Sequence, residues 1–174
     1  MRAGVVVFAI GNPSRGDDAL GPLLLARLAQ WLAAQARGGE FELIDDFQLQ
    51  IEHALDLQGR RLALFIDAGC ATPAPFSFYP IVHAASSATS STHALPPEGV
   101  LDVYRQFAGR EPPPSFVLCV RGEEFELGAG LSGAAREHAE LAGRICSGSA
   151  SGRNPSSGTI WRTISRPPLH NRHL

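Results

Sequence analysis

Residues 4–10, Gly-Val-Val-Val-Phe-Ala-Ile, form a continuous apolar run that is rich in β-branched side chains. The run lacks the polar–apolar alternation of a strand with one wet face, so it predicts a strand that is buried on both faces. Both faces of a sheet are covered when helical crossovers connect parallel strands. The run therefore predicts a parallel sheet inside an α/β domain.

The rest of the chain alternates between strand-like and helix-like patterns. Apolar residues at helical spacing predict a helix over residues 20–36, which the pair Gly38-Gly39 ends. The later predicted elements are a strand (41–44), an amphipathic helix (47–57), a strand (61–69), an edge strand interrupted by Pro80 (76–83), a helix (98–107), a strand (116–121) and a helix (131–145). This order predicts a three-layer αβα fold with a central, mostly parallel twisted sheet of about five strands.

The length of 174 residues, with 44% hydrophobic residues, is typical of a single domain with a sizeable core. We assign residues 1–146 to this domain. From residue 147 the chain is rich in Ser, Gly, Pro and Arg and has little periodicity. Residues 147–174 are therefore expected to be a poorly ordered tail.

Charge and cysteine content narrow the function classes. A net charge of -2 and a pI near 6.3 lack the basic excess of proteins that bind nucleic acid or anionic membranes, so we expect neither partner. The three cysteines are odd in number and without CxxC spacing, which argues against a disulfide framework and a zinc cage. We find no pattern of a signal peptide or membrane span and expect a cytoplasmic protein.

Acidic side chains follow two of the predicted strands. Asp17 and Asp18 end the segment GNPSRGDD, which follows the first strand, and Asp67 closes the third. Because sites in parallel α/β sheets form beyond the carboxyl ends of the strands, we expect these acids to converge there. His93 ends a small polar loop that can return to the same edge. Two carboxylates and one imidazole suit a divalent metal such as nickel or zinc.

Simpler interpretations stand beside this one. Each aspartate taken alone is more often a helix cap or a turn former. His53, His83 and His138 compete with His93, and His83 at the end of a predicted strand is the strongest rival. The two histidines of the tail, His170 and His173, are not expected in the site.

Two other kinds of site are weaker alternatives. The segment GNPSRGDD resembles a phosphate loop in its position before a helix, but it matches neither GxGxxG nor GxxxxGK[ST], and two aspartates repel phosphate. A nucleophilic Cys70 paired with His93 is conceivable, although a buried, inert cysteine is far commoner. The GxSxG and HExxH motifs are absent from the sequence.

Several motifs in order resemble one family. They are the apolar strand followed by GNPSRGDDALGP, then DFQLQIEHALDL, LFIDAG, the Ser/Thr-rich loop ending in SSTH, and GLS at the last helix. Together they resemble the hydrogenase maturation endopeptidases, and most of all the members that process cytoplasmic [NiFe]-hydrogenases. The resemblance extends over residues 5–145. The chain departs from the family after Cys146, where the tail replaces a Leu-rich continuation of the last helix.

The resemblance implies a site made of Asp18, Asp67 and His93, which serve as both catalytic and metal-binding residues. It favours Asp18 over Asp17 as the ligand, and leaves Asp17 to orient or support it. The family grouping implies an aspartic-type peptidase that recognises its substrate through a metal.

The implied activity is removal of a C-terminal extension from a nickel-loaded large-subunit precursor. The precursor supplies the nickel, no organic cofactor is expected, and the enzyme is expected to be a monomer. Whether the metal polarises the scissile carbonyl or acidifies a water molecule stays open. A non-catalytic maturation factor that binds the nickel-loaded subunit, and a peptidase of the same fold with another substrate, are the alternatives.

Overall fold

The structure is a computed structural model and describes residues 2–82 and 95–146. In these two segments the helices and strands are β1 (Val5–Ile10), α1 (Leu20–Ala34), β2 (Phe41–Asp46), α2 (His53–Asp56), β3 (Leu62–Gly69), β4 (Phe76–Pro80), α3 (Pro97–Ala108), β5 (Ser115–Arg121) and α4 (Gly133–Cys146). The predictions for residues 83–94, with His83 and His93, and for the tail at 147–174 lie outside the described residues.

One five-stranded sheet has the order β2-β1-β3-β5-β4. β1 is parallel to both β2 and β3, and β3 is parallel to β5. β4 runs antiparallel to β5 at the edge of the sheet. Pro80 has no N–H to donate, and an edge strand tolerates this because it pairs on one side only. The predicted fold, a mostly parallel five-stranded sheet between helices, is confirmed.

Successive side chains of the central strands lie on opposite faces of the sheet, each of which is covered by an apolar layer. Val5 and Val7 of β1 pack in the layer formed with α1 and α4. Phe8, one residue on, packs in the layer formed with α2 and α3. Its ring stacks on that of Phe65 in β3, with centroids 4.9 Å apart. Because both faces carry apolar side chains, β1 is buried from Val5 to Ala9, as its continuous apolar run predicts.

The first helix lies where it was predicted, and a short 3₁₀ turn precedes it. A 3₁₀ turn over Gly16–Ala19 leads directly into α1, so Asp17 and Asp18 lie in a helical turn. Pro22 is the third residue of α1, where its missing N–H has no partner to lose.

The amphipathic helix predicted over residues 47–57 is wrong, because only α2 is helical there. The His53 side chain marks the start of the helix instead. Its Nδ1 accepts from Gln50 N–H at 2.9 Å, and His53 N–H donates to the Gln50 carbonyl at 3.2 Å. A side chain that accepts from the N–H three residues earlier is typical of a helix N-terminus, so residues 47–52 have the helical period without the helix.

Other boundaries differ by a few residues. β2 extends two residues beyond its prediction, to Asp46, and β4 ends at Pro80. Ser132 precedes α4, and its Oγ accepts a hydrogen bond from Ala135 N–H at 3.1 Å, which confirms the predicted serine cap. Within the described segments, no helix has the length and hydropathy needed to cross a membrane.

Candidate active site

The carboxyl ends of β1 and β3 lie side by side. Ala9 of β1 pairs with Ile66 of β3, so the next residues, Ile10 and Asp67, mark the same edge of the sheet. The chain leaves β1 at Gly11 and returns through the 3₁₀ turn over the strand ends. This arrangement brings the two predicted acidic positions to one place.

Asp18 is held above the end of β1. The Asn12 N–H donates to its Oδ2 at 2.8 Å, and the carboxylate is partly exposed. Gly11 has φ 147°, and a Cβ there would overlap the carbonyl oxygen of Asp18. Only glycine therefore allows the turn to fold back this closely on the strand end.

Asp67 is the second carboxylate at this edge and is only partly accessible to solvent. Burial raises its pKa to about 6, the Ala68 N–H, 2.7 Å from Oδ1, offsets part of this rise, and the negative charge of Asp18 adds to it. The two carboxylates are thus electrostatic neighbours that repel each other. Such a pair favours a shared proton or a bound cation, and a pKa of about 6 is suited to proton transfer near neutrality.

Asp17 points the other way, into the protein, and is fully buried. Its carboxylate accepts hydrogen bonds from the N–H groups of Glu123, Glu124 and Ser132 and from the Ser132 hydroxyl, at 2.7–3.0 Å. Burial alone would raise the pKa of Asp17, but these four bonds outweigh it and lower the pKa. Asp17 is therefore a structural anchor whose carboxylate is held by the protein's own donors.

The same anchor joins two loops through their backbones. Asp17 N–H donates to the Glu124 carbonyl at 2.6 Å, and Gly16 N–H donates to the Ala129 carbonyl at 3.1 Å. Gly128 N–H returns a bond to the Ser14 carbonyl at 2.7 Å. Sequence reasoning expected support from Asp17 but missed these partners; Ser132 in the GLS motif was the one residue that pointed to them.

The phosphate-loop alternative does not fit the geometry. Every backbone N–H from Gly11 to Asp18 donates to an acceptor within the protein, and Pro13 has none. A phosphate site needs free N–H groups directed at the anion. This segment therefore holds the acids in place and leaves no donors for phosphate.

The structure places two of the three predicted site residues together, Asp18 and Asp67, while His93 lies outside the described residues. Two rival histidines have structural partners. The buried His53 lies edge-on to Phe8 and accepts from Gln50 N–H. His138 Nδ1 lies 2.9 Å from the Arg121 carbonyl oxygen.

Over residues 2–82 and 95–146, no three His, Cys, Asp or Glu side chains are grouped to hold a metal ion. Asp18 and Asp67 supply two carboxylates, which alone make an incomplete set of ligands for nickel or zinc. Further ligands for a metal bound here must come from a residue such as His93 or from a substrate.

Two cysteines lie near this edge. Cys70 is exposed, directly after β3, and Cys119 of β5 is partly buried with its Sγ 2.8 Å from the Thr72 hydroxyl. Burial raises the pKa of the Cys119 thiol, which makes it a poor nucleophile. The pairing of Cys70 with His93 remains untested, because His93 is not described.

The sheet order and the two converging carboxylates define an α/β protein with an acidic site at a strand-end edge. Solved structures with a similar fold include hydrogenase maturation proteases. HycI from Thermococcus kodakarensis is similar over 82% of this chain and 89% of its own, with 22% identity and a TM-score of 0.60. HybD from E. coli, a hydrogenase maturating endopeptidase, is similar over 82% and 87%, with 21% identity and a TM-score of 0.58.

A further solved endopeptidase, from Escherichia coli, is similar over 93% of each chain, with 19% identity and a TM-score of 0.59. No protein-family model and no curated protein sequence matches the chain. At these identities the comparisons establish the fold, which is the fold that the sequence motifs implied.

The anchor predicts that Asp17→Asn destabilises the protein by about 2–4 kcal/mol, because an amide nitrogen would face N–H donors and one charged acceptor would be lost. The neighbouring Asp18→Asn is the matched control and should cost less than about 1 kcal/mol. Urea unfolding at neutral pH measures both. Equal stability of the two variants would contradict the anchor.

The pKa of Asp67 predicts a stability gain in Asp67→Asn. Since the folded-state pKa of about 6 lies above the ordinary value of 3.8, ionised Asp67 opposes folding. This cost grows as pH rises between the two values. The variant should be about 3 kcal/mol more stable than the wild type above pH 6 and equal to it below about pH 4. Metal-free urea unfolding across this range measures the difference, and a pH-independent one would refute it.

Proposed function

We propose that this protein is a member of the hydrogenase maturation endopeptidases and removes the C-terminal extension of a nickel-loaded [NiFe]-hydrogenase large-subunit precursor. The observation that carries the proposal is the convergence of Asp18 and Asp67 at one sheet edge. The fold, shared with solved maturation proteases, supports it. We further propose that the enzyme acts in the cytoplasm as a monomer, without an organic cofactor.

The proposed recognition step is contact between Asp18, Asp67 and His93 and nickel that the precursor already carries. The pair is suited to a cation, because a positive ion between two carboxylates removes their repulsion and favours the ionised form of Asp67. Nickel accepts oxygen and nitrogen donors. Two carboxylates are an incomplete set of ligands for nickel. In the proposed complex, the precursor supplies the ion and the remaining ligands.

The proposed chemistry is hydrolysis of one amide bond near that ion. Hydrolysis needs an activated water molecule and a polarised carbonyl group. Beside the ion the pKa of Asp67 falls below its metal-free value of about 6, so the carboxylate is ionised at pH 7 and can accept a proton from an acidified water molecule. The nickel of the substrate polarises the carbonyl or acidifies the water, and Asp17 keeps the Asp18 turn in position through its bonds to the loop after β5.

The proposal predicts that the precursor loses its C-terminal peptide only when it is loaded with nickel. In Asp18→Asn the rate should fall at least about 100-fold, because one of the acidic groups at the reacting centre is lost. Mass spectrometry of the precursor, sampled over time, measures trimming. The control is Asp102→Asn, which removes an exposed carboxylate on α3 and should trim at the wild-type rate.

The same assay separates the alternatives. An unchanged precursor mass together with a stable complex would indicate a non-catalytic maturation factor. Equal trimming of nickel-loaded and nickel-free precursor would indicate a peptidase that does not recognise the metal. Wild-type trimming by Asp18→Asn would remove Asp18 from the site.

A further inference from the structure

Three large apolar side chains project into solvent from one short segment. Phe47, directly after β2, is 68% exposed, Ile51 in the turn before α2 is 64% exposed and Leu55 of α2 is 53% exposed. We call these three residues the apolar ridge. The segment's inward side is already used, because Leu49, Ala54 and Leu57 are buried in the core. The ridge is therefore additional apolar surface that the fold does not need.

The ridge begins at the strand-end edge that carries the candidate site. Phe47 directly follows Asp46, the last residue of β2. The Asp46 carbonyl accepts a hydrogen bond from Gly11 N–H at 3.1 Å, and Gly11 is the residue over which Asp18 folds. A polypeptide lying along the ridge would thus extend toward the carboxylate pair.

The surroundings of the ridge are acidic. Residues 41–59 contain five carboxylates and neither Lys nor Arg; the five are Glu42, Asp45, Asp46, Glu52 and Asp56. Asp45 and Glu52 are exposed beside the ridge. The surface combines apolar contact area with negative charge, which complements a segment that is both apolar and basic.

The nearby cations do not reverse this charge. Arg2 lies at the far end of the ridge, where its guanidinium donates to the carbonyls of Leu55 and Gln58. Arg60 is buried and paired with Glu42. His53 is buried, with Nε2 3.5 Å from the Asp46 carboxylate.

We propose that the apolar ridge docks a basic, apolar segment of the precursor and presents the scissile bond to Asp18 and Asp67. The inference rests on the proposed function, since it takes the precursor as the partner. Apolar burial supplies affinity, because each side chain gains favourable free energy on leaving water. The acidic flank favours encounter with a basic segment and disfavours an acidic one.

The test is direct binding of nickel-loaded precursor to the full chain, with trimming measured in parallel. The double variant Ile51→Gln, Leu55→Gln should weaken binding about tenfold or more and raise KM similarly, with kcat within about twofold. Leu141→Gln is the matched control, because Leu141 is a 42% exposed apolar residue on α4, which packs on the other face of the sheet. This control should bind like the wild type.

A second double variant tests how the acidic residues beside the ridge contribute to binding. Asp45→Asn, Glu52→Gln should weaken binding at low salt and reduce the salt dependence of the association rate, whereas Asp102→Asn should change neither. An unaltered salt dependence in the double variant would exclude the basic character of the docked segment.

Each remaining outcome is decisive. Wild-type affinity in the ridge variant overturns the docking proposal, even if trimming itself stands. A change from dimer to monomer with unchanged precursor affinity would assign the ridge to self-association, and tighter binding by the variant would assign it to the chain's own tail. Binding that depends on the ridge without trimming would retain docking and refute the peptidase function, and absence of both would refute both proposals.

Discussion

The buried carboxylate of Asp17 joins two loops that are far apart in the chain. It accepts hydrogen bonds from Glu123, Glu124 and Ser132, which lie more than one hundred residues later. A charge in a fully buried position is stable only when it is this well hydrogen-bonded. The position of the turn that carries Asp18, and with it the whole strand-end edge, depends on this interaction.

Adjacent aspartates have opposite roles in this turn. Asp17 is stabilised as an anion by inward hydrogen bonds, and Asp18 faces outward over Gly11. Across from it, burial and the charge of Asp18 raise the pKa of Asp67. The turn therefore stabilises the negative charge of Asp17. It also places the negative charge of Asp18 where it disfavours ionisation of Asp67. A cation would relieve that cost, which is the physical basis of the proposed metal recognition.

Much of this fold could be predicted, because the apolar run of β1 has no alternation and helical patterns separate the strands. The meeting of Asp18 and Asp67 was also predictable, since neighbouring parallel strands end at one edge. Two features were not. The hydrophobic period does not reveal that the helix begins only near His53, whose side chain accepts from Gln50 N–H. Local pattern likewise does not indicate bonds between Asp17 and residues so distant in sequence.

The central claim is that Asp18 and Asp67 form one interacting acidic pair. The most direct test is a carbon-13 NMR titration of the Asp67 carboxyl group in the metal-free wild type and in Asp18→Asn. We expect a wild-type pKa of about 6 for Asp67 and a lower pKa in Asp18→Asn, where the neighbouring charge is gone. An ordinary pKa near 3.8, or an elevated value that Asp18→Asn leaves unchanged, would contradict it.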